Sequence, residues 1–314
     1  MIHSIKKIVI PLNGSEAGLG KLDFLDSLYG PKHNLEVILL HILPALPSVL
    51  IDDTAKTVDE DFKIKARAVD RKHIQLADRR LTEAKSVLCA KGFDEMRITT
   101  YYKKMETEPS YDICQWAKTV KADAILVTRR EGAHSDSFYL GSITNGLPAS
   151  CADCPVVIAE GGIHSKRALV FFDNAENGFK AVNHASFMLS GTGCQITLFH
   201  PIWHIGRFVH SEVQDEVVGL EEVWKEKSLR CMEPIIEKAK KTFLQAGFSE
   251  KQISLKVVDG SENAANDILM ETRIDDFGMI ILGRHGVSTI REFFVENSVG
   301  KILCSQAGPA IWIV

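Results

Sequence analysis

The residues best suited to chemistry lie near the end of the chain, where an apolar run stops at two closely spaced glycines. Met279 to Leu282 is the apolar run, and Gly283, Arg284, His285 and Gly286 follow it. Glycine has no side chain, so backbone N–H groups in such a turn can approach phosphate oxygens closely. A strand that leads through a glycine turn into a helix is a recurrent phosphate-binding unit. This segment is therefore the first candidate for binding a phosphate-bearing ligand.

The second half of the chain contains the strands and helices that would position this turn. Runs of apolar and β-branched residues predict strands over 167–172, 195–200, 254–258, from 280 and at the end of the chain after Pro309. Helical spacing of apolar residues predicts helices through 181–189 and 220–243, and Pro234 is expected to kink the second of these. Alternating strands and helices favour a parallel sheet covered on both faces.

The first half repeats the same order of elements. Strands are predicted over 7–12, 36–43, 97–102, 122–127 and 154–159, and helices over 17–28, over 62–88, from Pro109 and over 141–152. Two units of ~150 residues with one order of elements indicate an internal duplication. We expect two domains, 1–160 and 166–314, joined by a glycine-containing polar linker over 160–166. One larger doubly wound sheet is the alternative.

The composition is that of an ordinary soluble globular protein. The chain has 314 residues, of which 45% are hydrophobic and 25% charged, and its formal net charge is -4. This balance gives no electrostatic reason to expect nucleic acid or an anionic membrane as a partner. No apolar run approaches the ~18 residues of a membrane-spanning helix. We therefore predict a cytoplasmic protein, and we expect its seven scattered cysteines to be reduced, buried thiols rather than a disulfide framework.

The order of elements, the long helix between the second and third strands and two local strings together resemble the universal stress protein family, here as a tandem pair. The strings are the turns after the first strands, Leu-Asn-Gly-Ser at 12–15 and Phe-Asp-Asn at 172–174, and Cys-Pro-Val at 154–156. The resemblance implies two α/β domains, each with a five-stranded, mainly parallel sheet in the order 3-2-1-4-5 and helices on both faces. It is also consistent with self-association of the two halves through strand five, and a homodimer of the chain is a further expectation.

Family members with a complete G-x2-G-x9-G-[S/T] motif after strand four hold ATP or another adenine nucleotide. In the second half, Gly283 and Gly286 fill the first two glycine positions, and Glu296 and Asn297 fall at the last two. A shift of one residue places Asn297 and Ser298 there instead. The resemblance thus implies a nucleotide-binding set of Asp173, Gly283, Arg284, Gly286, Asn297 and Ser298.

The first half keeps the other end of the motif. Thr128 and Glu131 replace its first two glycines, whereas Gly141 and Ser142 match its end and Asn13 stands at the Asp position. A carboxylate ~4 Å from a phosphate charge is repelled by about 4 kcal/mol at an effective dielectric near 20. The implied first-half set, Asn13, Gly141 and Ser142, is therefore the weaker one.

These features lead to three functional hypotheses. The first is a stress-response binding or signalling protein that takes ATP or AMP in its second domain. The alternative is a degenerate tandem stress protein that acts without nucleotide, through contacts with a protein or an apolar ligand. A weak ATPase is the third, with Asp173 as its one nameable candidate for a general base or metal ligand. G-x-S-x-G, H-E-x-x-H and P-loop strings are absent from the sequence, so we predict that the protein is not an enzyme.

Two further groups admit a chemical and a structural interpretation. Cys151 and Cys154 form C-x-x-C, but they follow a predicted helix, where the helix dipole does not favour a thiolate, and packing is the preferred interpretation. His200, His204 and His210 offer metal-ligand types, but an apolar loop that acts as a lid or a protein interface is preferred, and no metal is predicted.

Overall fold

Buried apolar strands form the centres of two separate units in the computed structural model, which describes residues 5–12, 19–46, 60–128, 142–172, 176–283 and 308–314. The units are Met1–Gly162 and Ile163–Val314. Within the described segments, no helix combines the length and the apolar character needed to cross a membrane.

The first unit contains a parallel sheet with helices on both faces. Its strands are β1 (Lys6–Pro11), β2 (Leu35–Leu43), β3 (Ile98–Lys104), β4 (Ala124–Val127) and β5 (Val156–Ile158), and its helices are α1 (Gly20–Leu28), α2 (Glu60–Ala90), α3 (Pro109–Thr119) and α4 (Ser142–Ser150). The strand order β3-β2-β1-β4-β5 confirms the predicted order. Ile8 of β1 lies opposite Val37 on one side and Ala124 on the other.

The second unit repeats this arrangement. It contains β6 (Arg167–Phe171), α5 (Glu176–Leu189), β7 (Gln195–Trp203), α6 (Ser211–Glu216), α7 (Leu220–Gln245), β8 (Ile253–Ser261), α8 (Ala264–Ile274), β9 (Met279–Leu282) and β10 (Ala310–Ile313). The strands pair in parallel in the order β8-β7-β6-β9-β10, which is the order of the first unit. The predicted α/β class and the repeat of its elements are confirmed.

The short inner strands explain why their sequences are continuous apolar runs rather than alternating ones. All four residues of β4 and all four of β9 are buried, because helices cover both faces of the sheet. The long helix α2 has one apolar stripe, and its last part buries Ala77, Leu81 and Leu88 against the sheet. In the first part of α2 the apolar stripe is less buried, since Val69 is exposed.

Two prolines lie inside regular elements that proline usually interrupts, one in a strand and one in a helix. Pro201 lies inside β7, which runs beyond the predicted end at 200 to Trp203. The β7–β8 pairing shifts register between Pro201 and Trp203, and an irregular ladder is where a residue without an N–H is tolerated in a strand. Pro234 lies inside α7, which continues to Gln245, and the expected kink there stays a prediction.

The expectation that all seven cysteines are reduced thiols is wrong. Cys114 in the middle of α3 forms a disulfide with Cys151, which directly follows α4, and their Cα atoms lie 5.4 Å apart. Cys151 therefore does not pair with Cys154, which is buried and lies outside the disulfide. The C-x-x-C spacing could not reveal this, because the partner of Cys151 is 37 residues away and comes close only when α3 and α4 lie side by side.

Candidate functional site

The candidate site of the second unit lies at the carboxyl edge of its sheet, between β6 and β9. Val170 of β6 lies opposite Ile281 of β9, so the two strands end beside each other at Phe172 and Gly283. From β6 the sheet continues through β7, and from β9 it continues through β10 on the other side. Such a switch point opens a crevice at the carboxyl ends of the two strands, which is where open α/β sheets bind ligands.

Gly283 is the one member of the second-half set that the structure describes, and it is buried directly after β9. Asp173, Arg284, Gly286, Asn297 and Ser298 lie outside the described residues, as does Glu296. Phe172, the residue directly before Asp173 in the sequence, lies at the same edge as Gly283. The described part of the site thus consists of the adjacent carboxyl ends of β6 and β9, and a glycine directly follows β9.

Thr128 occupies in the first unit the position that Gly283 has in the second. It follows β4, it is only 3% exposed, and its hydroxyl has no hydrogen-bond partner among the described residues. Its carbonyl oxygen accepts a hydrogen bond of 2.7 Å from the Thr144 hydroxyl in the first turn of α4. Ser142 begins α4, whereas Asn13, Glu131 and Gly141 lie outside the described residues. A side chain therefore fills the edge of the first unit where the second unit has none.

A buried histidine anchors the end of the first strand in both units. His200 Nδ1 lies 3.1 Å from the carbonyl oxygen of Phe172, and His41 Nδ1 lies 2.6 Å from that of Leu12. Because a carbonyl oxygen only accepts, each ring must donate its Nδ1–H. Neither contact is predicted by the sequence, although both histidines lie near the ends of equivalent strands. Each bond fixes the backbone one residue before the Asp173 or Asn13 position.

The charge state of His41 suits this role. Burial lowers the pKa of its imidazole, and the charges of Arg80 and His73 act in the same direction, while the hydrogen bond to Leu12 opposes them. His41 is consequently neutral near pH 7, with the proton on Nδ1. A neutral donor inside the sheet edge avoids the cost of burying a charge.

An aspartate in the helix after the third strand provides a second repeated anchor. Asp112 of α3 accepts a 2.8 Å hydrogen bond from the backbone N–H of Glu106, just after β3. Asp267 of α8 accepts one from the hydroxyl of Ser261, the last residue of β8. Burial raises the pKa of Asp267, and the bond from Ser261 opposes that shift. Both edges thus hold the third strand to the following helix, a role that sequence spacing alone did not show.

A buried lysine lies under the edge of the first unit. Lys21 of α1 is fully buried, and its Nζ donates to the carbonyl oxygen of Pro11 at the end of β1. A lysine in an amphipathic helix is ordinarily solvated, so the sequence carried no signal for this position. Its amine therefore lies at the carboxyl end of β1.

The first unit also has an apolar cavity at this edge. The cavity has a volume of about 160 Å³ and is lined by residues that include Pro11, Leu12, Ile42, Pro44, Met105 and Ile143. Drug-sized ligands occupy sites of roughly 300 to 1,000 Å³, so this space suits a single ring system rather than a whole nucleotide. A cavity of about 270 Å³ lies at the opposite edge of the sheet, near His33 and Arg97, away from the switch point.

The three histidines considered as metal ligands, His200, His204 and His210, have different surroundings in the structure. His200 faces Phe172, whereas the Nδ1 of His204 accepts a 3.1 Å hydrogen bond from the backbone N–H of Gly206. His210 precedes α6 and is exposed. Among the residues that the structure describes, no group of three or more histidine, cysteine, aspartate and glutamate side chains is placed to hold a metal ion.

The fold defines a class of protein: a tandem pair of doubly wound α/β domains, each with a switch point between its first and fourth strands. The model of the universal stress protein family matches residues 4–160, which is half of the 314-residue chain. The chain belongs to the universal stress protein family, which has a role in the stress response.

Comparison with solved structures agrees with the fold. A universal stress protein from Archaeoglobus fulgidus DSM 4304 superposes with a TM-score of 0.61 at 15% identity, over 98% of this chain and 95% of that one. Universal stress protein UspA from Lactobacillus plantarum has a TM-score of 0.38 at 14% identity, over 49% of this chain and 97% of that one. A universal stress protein in complex with cAMP has a TM-score of 0.35 at 16% identity, over 50% and 98%. No curated protein sequence matches the chain.

Proposed function

We propose that this protein is a stress-response binding or signalling module that takes an adenine nucleotide, ATP or AMP, at the carboxyl edge of its second unit. The observation that supports the proposal is the buried Gly283 at the switch point, where β9 ends beside β6. A glycine there leaves room for a ligand to approach the backbone closely. Thr128 at the same position of the first unit does not leave that room.

The chain adds the remaining parts of the proposed site at the same edge. Asp173 directly follows Phe172, whose carbonyl oxygen is held by His200. In the proposal, Asp173 accepts hydrogen bonds from the ribose or base, and backbone N–H groups from Gly283 onward meet the phosphates. Arg284 offsets the phosphate charge, and Gly286, Asn297 and Ser298 complete the loop. No residue is assigned to a chemical step, so the proposed role is binding rather than catalysis.

Nucleotide binding is tested by calorimetry and thermal unfolding of the full chain with ATP, AMP and no ligand. We expect a raised melting temperature, because a ligand at 100 times its Kd stabilises the folded state by about 2.7 kcal/mol. Asp173→Asn should weaken binding, and the matched change in the other unit, Asn13→Ala, should not. Gly283→Val is a second variant that blocks the backbone by volume. An unchanged melting temperature at millimolar ATP would contradict the proposal.

A second candidate function rests on an exposed apolar surface beside the same edge, which we call the valine surface. It consists of Phe208, Val213, Val217, Val218 and Val223, all of them exposed. Val218 is 97% exposed, and Phe208 packs at a tilt against Trp224 with ring centroids 5.3 Å apart. Contiguous exposed apolar side chains are typical of a surface that binds another protein. This supports the alternative in which the chain acts through a protein partner without nucleotide.

Two experiments distinguish the two candidate functions. One asks whether the purified protein retains a nucleotide, and the other asks whether it binds a protein partner through the valine surface. Mass spectrometry of freshly purified chain should detect ATP or AMP under the first candidate and no nucleotide under the second. A Val217→Glu/Val218→Glu bait should lose partners that the wild-type bait captures from the same extract. Met270→Glu is the matched control, because Met270 is an exposed apolar residue of α8 outside the valine surface. Equal capture by all three baits would exclude the second candidate.

A further inference from the structure

The disulfide of the first unit joins the helices that follow β3 and β4. Cys114 lies in the middle of α3, and Cys151 directly follows α4. Both residues are buried, Cys151 completely. The segment 129–141, which corresponds to the family's glycine loop, leads directly into α4. The covalent bond therefore holds the far end of the first helix after that loop.

Noncovalent contacts also hold α4. One lies at its last residue, where the Ser150 hydroxyl donates to the Ser110 hydroxyl of α3 across 3.5 Å. The Thr144 hydroxyl donates to the carbonyl oxygen of Thr128, which ties the first turn of α4 to the end of β4. Gly146 lies so close to α3 that a Cβ atom on it would come within 2.7 Å of the Ser110 hydroxyl oxygen. The disulfide is the covalent attachment, and it is the one that a change of redox conditions can remove.

The second unit is built without this bond. Cys114 is the sixth residue of the eleven in α3, and the sixth residue of the eleven in α8 is Leu269, a buried apolar residue. Apolar packing therefore suffices at this position to hold the helix on its sheet. A cross-link in one unit only is an addition to the shared fold rather than a requirement of it.

We propose that Cys114 and Cys151 form a reversible thiol–disulfide site that responds to a small disulfide such as glutathione disulfide. In the oxidising direction, the two protein thiols lose two electrons and two protons, one S–S bond forms between them, and one glutathione disulfide becomes two glutathione thiols. In the reducing direction, two glutathione thiols break the protein bond. Reduction removes the covalent link between α3 and the end of α4, while the noncovalent contacts of Thr144, Gly146 and Ser150 remain.

Burial determines how the exchange proceeds. Cys114 is 8% exposed and Cys151 is not exposed, so an attacking thiolate reaches the bond only when α4 separates from α3. Cys154, three residues after Cys151, is buried outside the disulfide, and its Sγ lies 3.6 Å from the carbonyl oxygen of Ala122. We assign Cys154 no part in the exchange.

The proposal is tested by equilibrating the full chain at a series of ratios of reduced to oxidised glutathione. Free thiols are then trapped with N-ethylmaleimide in denaturant, and each cysteine peptide is quantified by mass spectrometry. Cys114 and Cys151 should change together, from unlabelled to labelled, with one midpoint from both directions. Cys154→Ser should leave the midpoint unchanged, and Cys114→Ser should leave Cys151 labelled at every ratio. A pair that does not change over the series, or a transition lost in Cys154→Ser, would overturn the proposal.

Hydrogen exchange gives a readout that needs no substitution. In the wild-type chain, reduction should speed amide exchange in α4, Ser142–Ser150, by tenfold or more, and leave α8 of the second unit unchanged. The α8 helix is the matched control, since it occupies the place of α3 in the unit without the bond. If the amides of α4 exchange at the same rate in the oxidised and reduced protein, the proposed loosening of α4 on reduction is wrong.

Discussion

His200 donates its Nδ1–H to the carbonyl oxygen of Phe172 across 3.1 Å, inside the edge at which β6 and β7 end. The first unit has the same bond between His41 and Leu12. Two units whose glycine positions have diverged thus retain one way of holding the end of the first strand. What the two units share is therefore the backbone geometry at the carboxyl end of the first strand. This geometry is set by contacts within the protein and does not require a ligand.

His200→Ala should destabilise the second unit by about 2 kcal/mol, because it removes a buried donor and leaves the Phe172 carbonyl oxygen without it. Urea unfolding measures the effect. His200→Asn is the matched variant, since the amide nitrogen of asparagine can take the place of Nδ1, and most of the stability should return. His204→Ala, at a less buried histidine, should change stability by less than about 0.5 kcal/mol. Equal losses in the alanine and asparagine variants would contradict the role of the bond.

Thr128→Val should stabilise the first unit slightly, by up to about 1 kcal/mol. The change replaces a buried hydroxyl, which has no partner among the described residues, with a methyl group of nearly the same size. The backbone carbonyl that accepts from Thr144 is kept. Thr144→Val is the contrasting variant and should destabilise, because its hydroxyl makes that bond. A clear loss of stability in Thr128→Val would show that the hydroxyl has a partner.

Acid should destabilise the second unit through His184. This side chain of α5 packs against the ring of Trp312, with centroids 5.8 Å apart, and burial lowers the pKa of its imidazole to about 4. The neutral form is favoured in the folded state, so its contribution is complete above pH ~6.5 and is lost as the pH falls toward 4. The loss should reach about 3 kcal/mol.

The acid effect is measured by urea unfolding at a series of pH values. His184→Leu should flatten the fall in stability between pH ~6.5 and 4, where the histidine takes up its proton. His210→Leu is the matched control, because His210 is exposed and precedes α6. A His184→Leu variant with the same acid sensitivity as the wild type would refute the assignment.

The disulfide should stabilise the first unit by about 4 kcal/mol, because it closes a loop of 37 residues in the unfolded chain. Oxidised wild type is compared in urea with a Cys114→Ala/Cys151→Ala double variant. The difference should shrink in reductant, where the wild type has lost the bond as well. A difference of the same size in both conditions would assign the effect to packing of the sulfur atoms instead.

The pairing of the two halves through strand five, and a homodimer of the chain, stay predictions from the sequence. If the two fifth strands pair within one chain, neither apolar edge remains open. Native mass spectrometry should then give the mass of a single chain at low concentration. A stable species of twice that mass would favour the homodimer.

Much of the fold could be predicted because the signals are local. The buried runs of β4 and β9 are continuous and apolar, since both faces are covered, and Pro109 starts α3 where a missing N–H is harmless. The helix α8 was implied by the duplication rather than located. The end of β7 was predicted too early, because Pro201 ordinarily ends a strand and only the shifted pairing with β8 accommodates it.

The sequence by itself determined the duplication, the order of strands and helices, and the identity of the residues at the ends of β4 and β9. These follow from periodicity and from residue type, which act over a few positions. The tertiary structure decided that Cys151 pairs with Cys114, and that His41 and His200 hold carbonyl oxygens 29 and 28 residues earlier. Such contacts depend on which helices and strands become neighbours when the sheet assembles, and no local pattern encodes that adjacency.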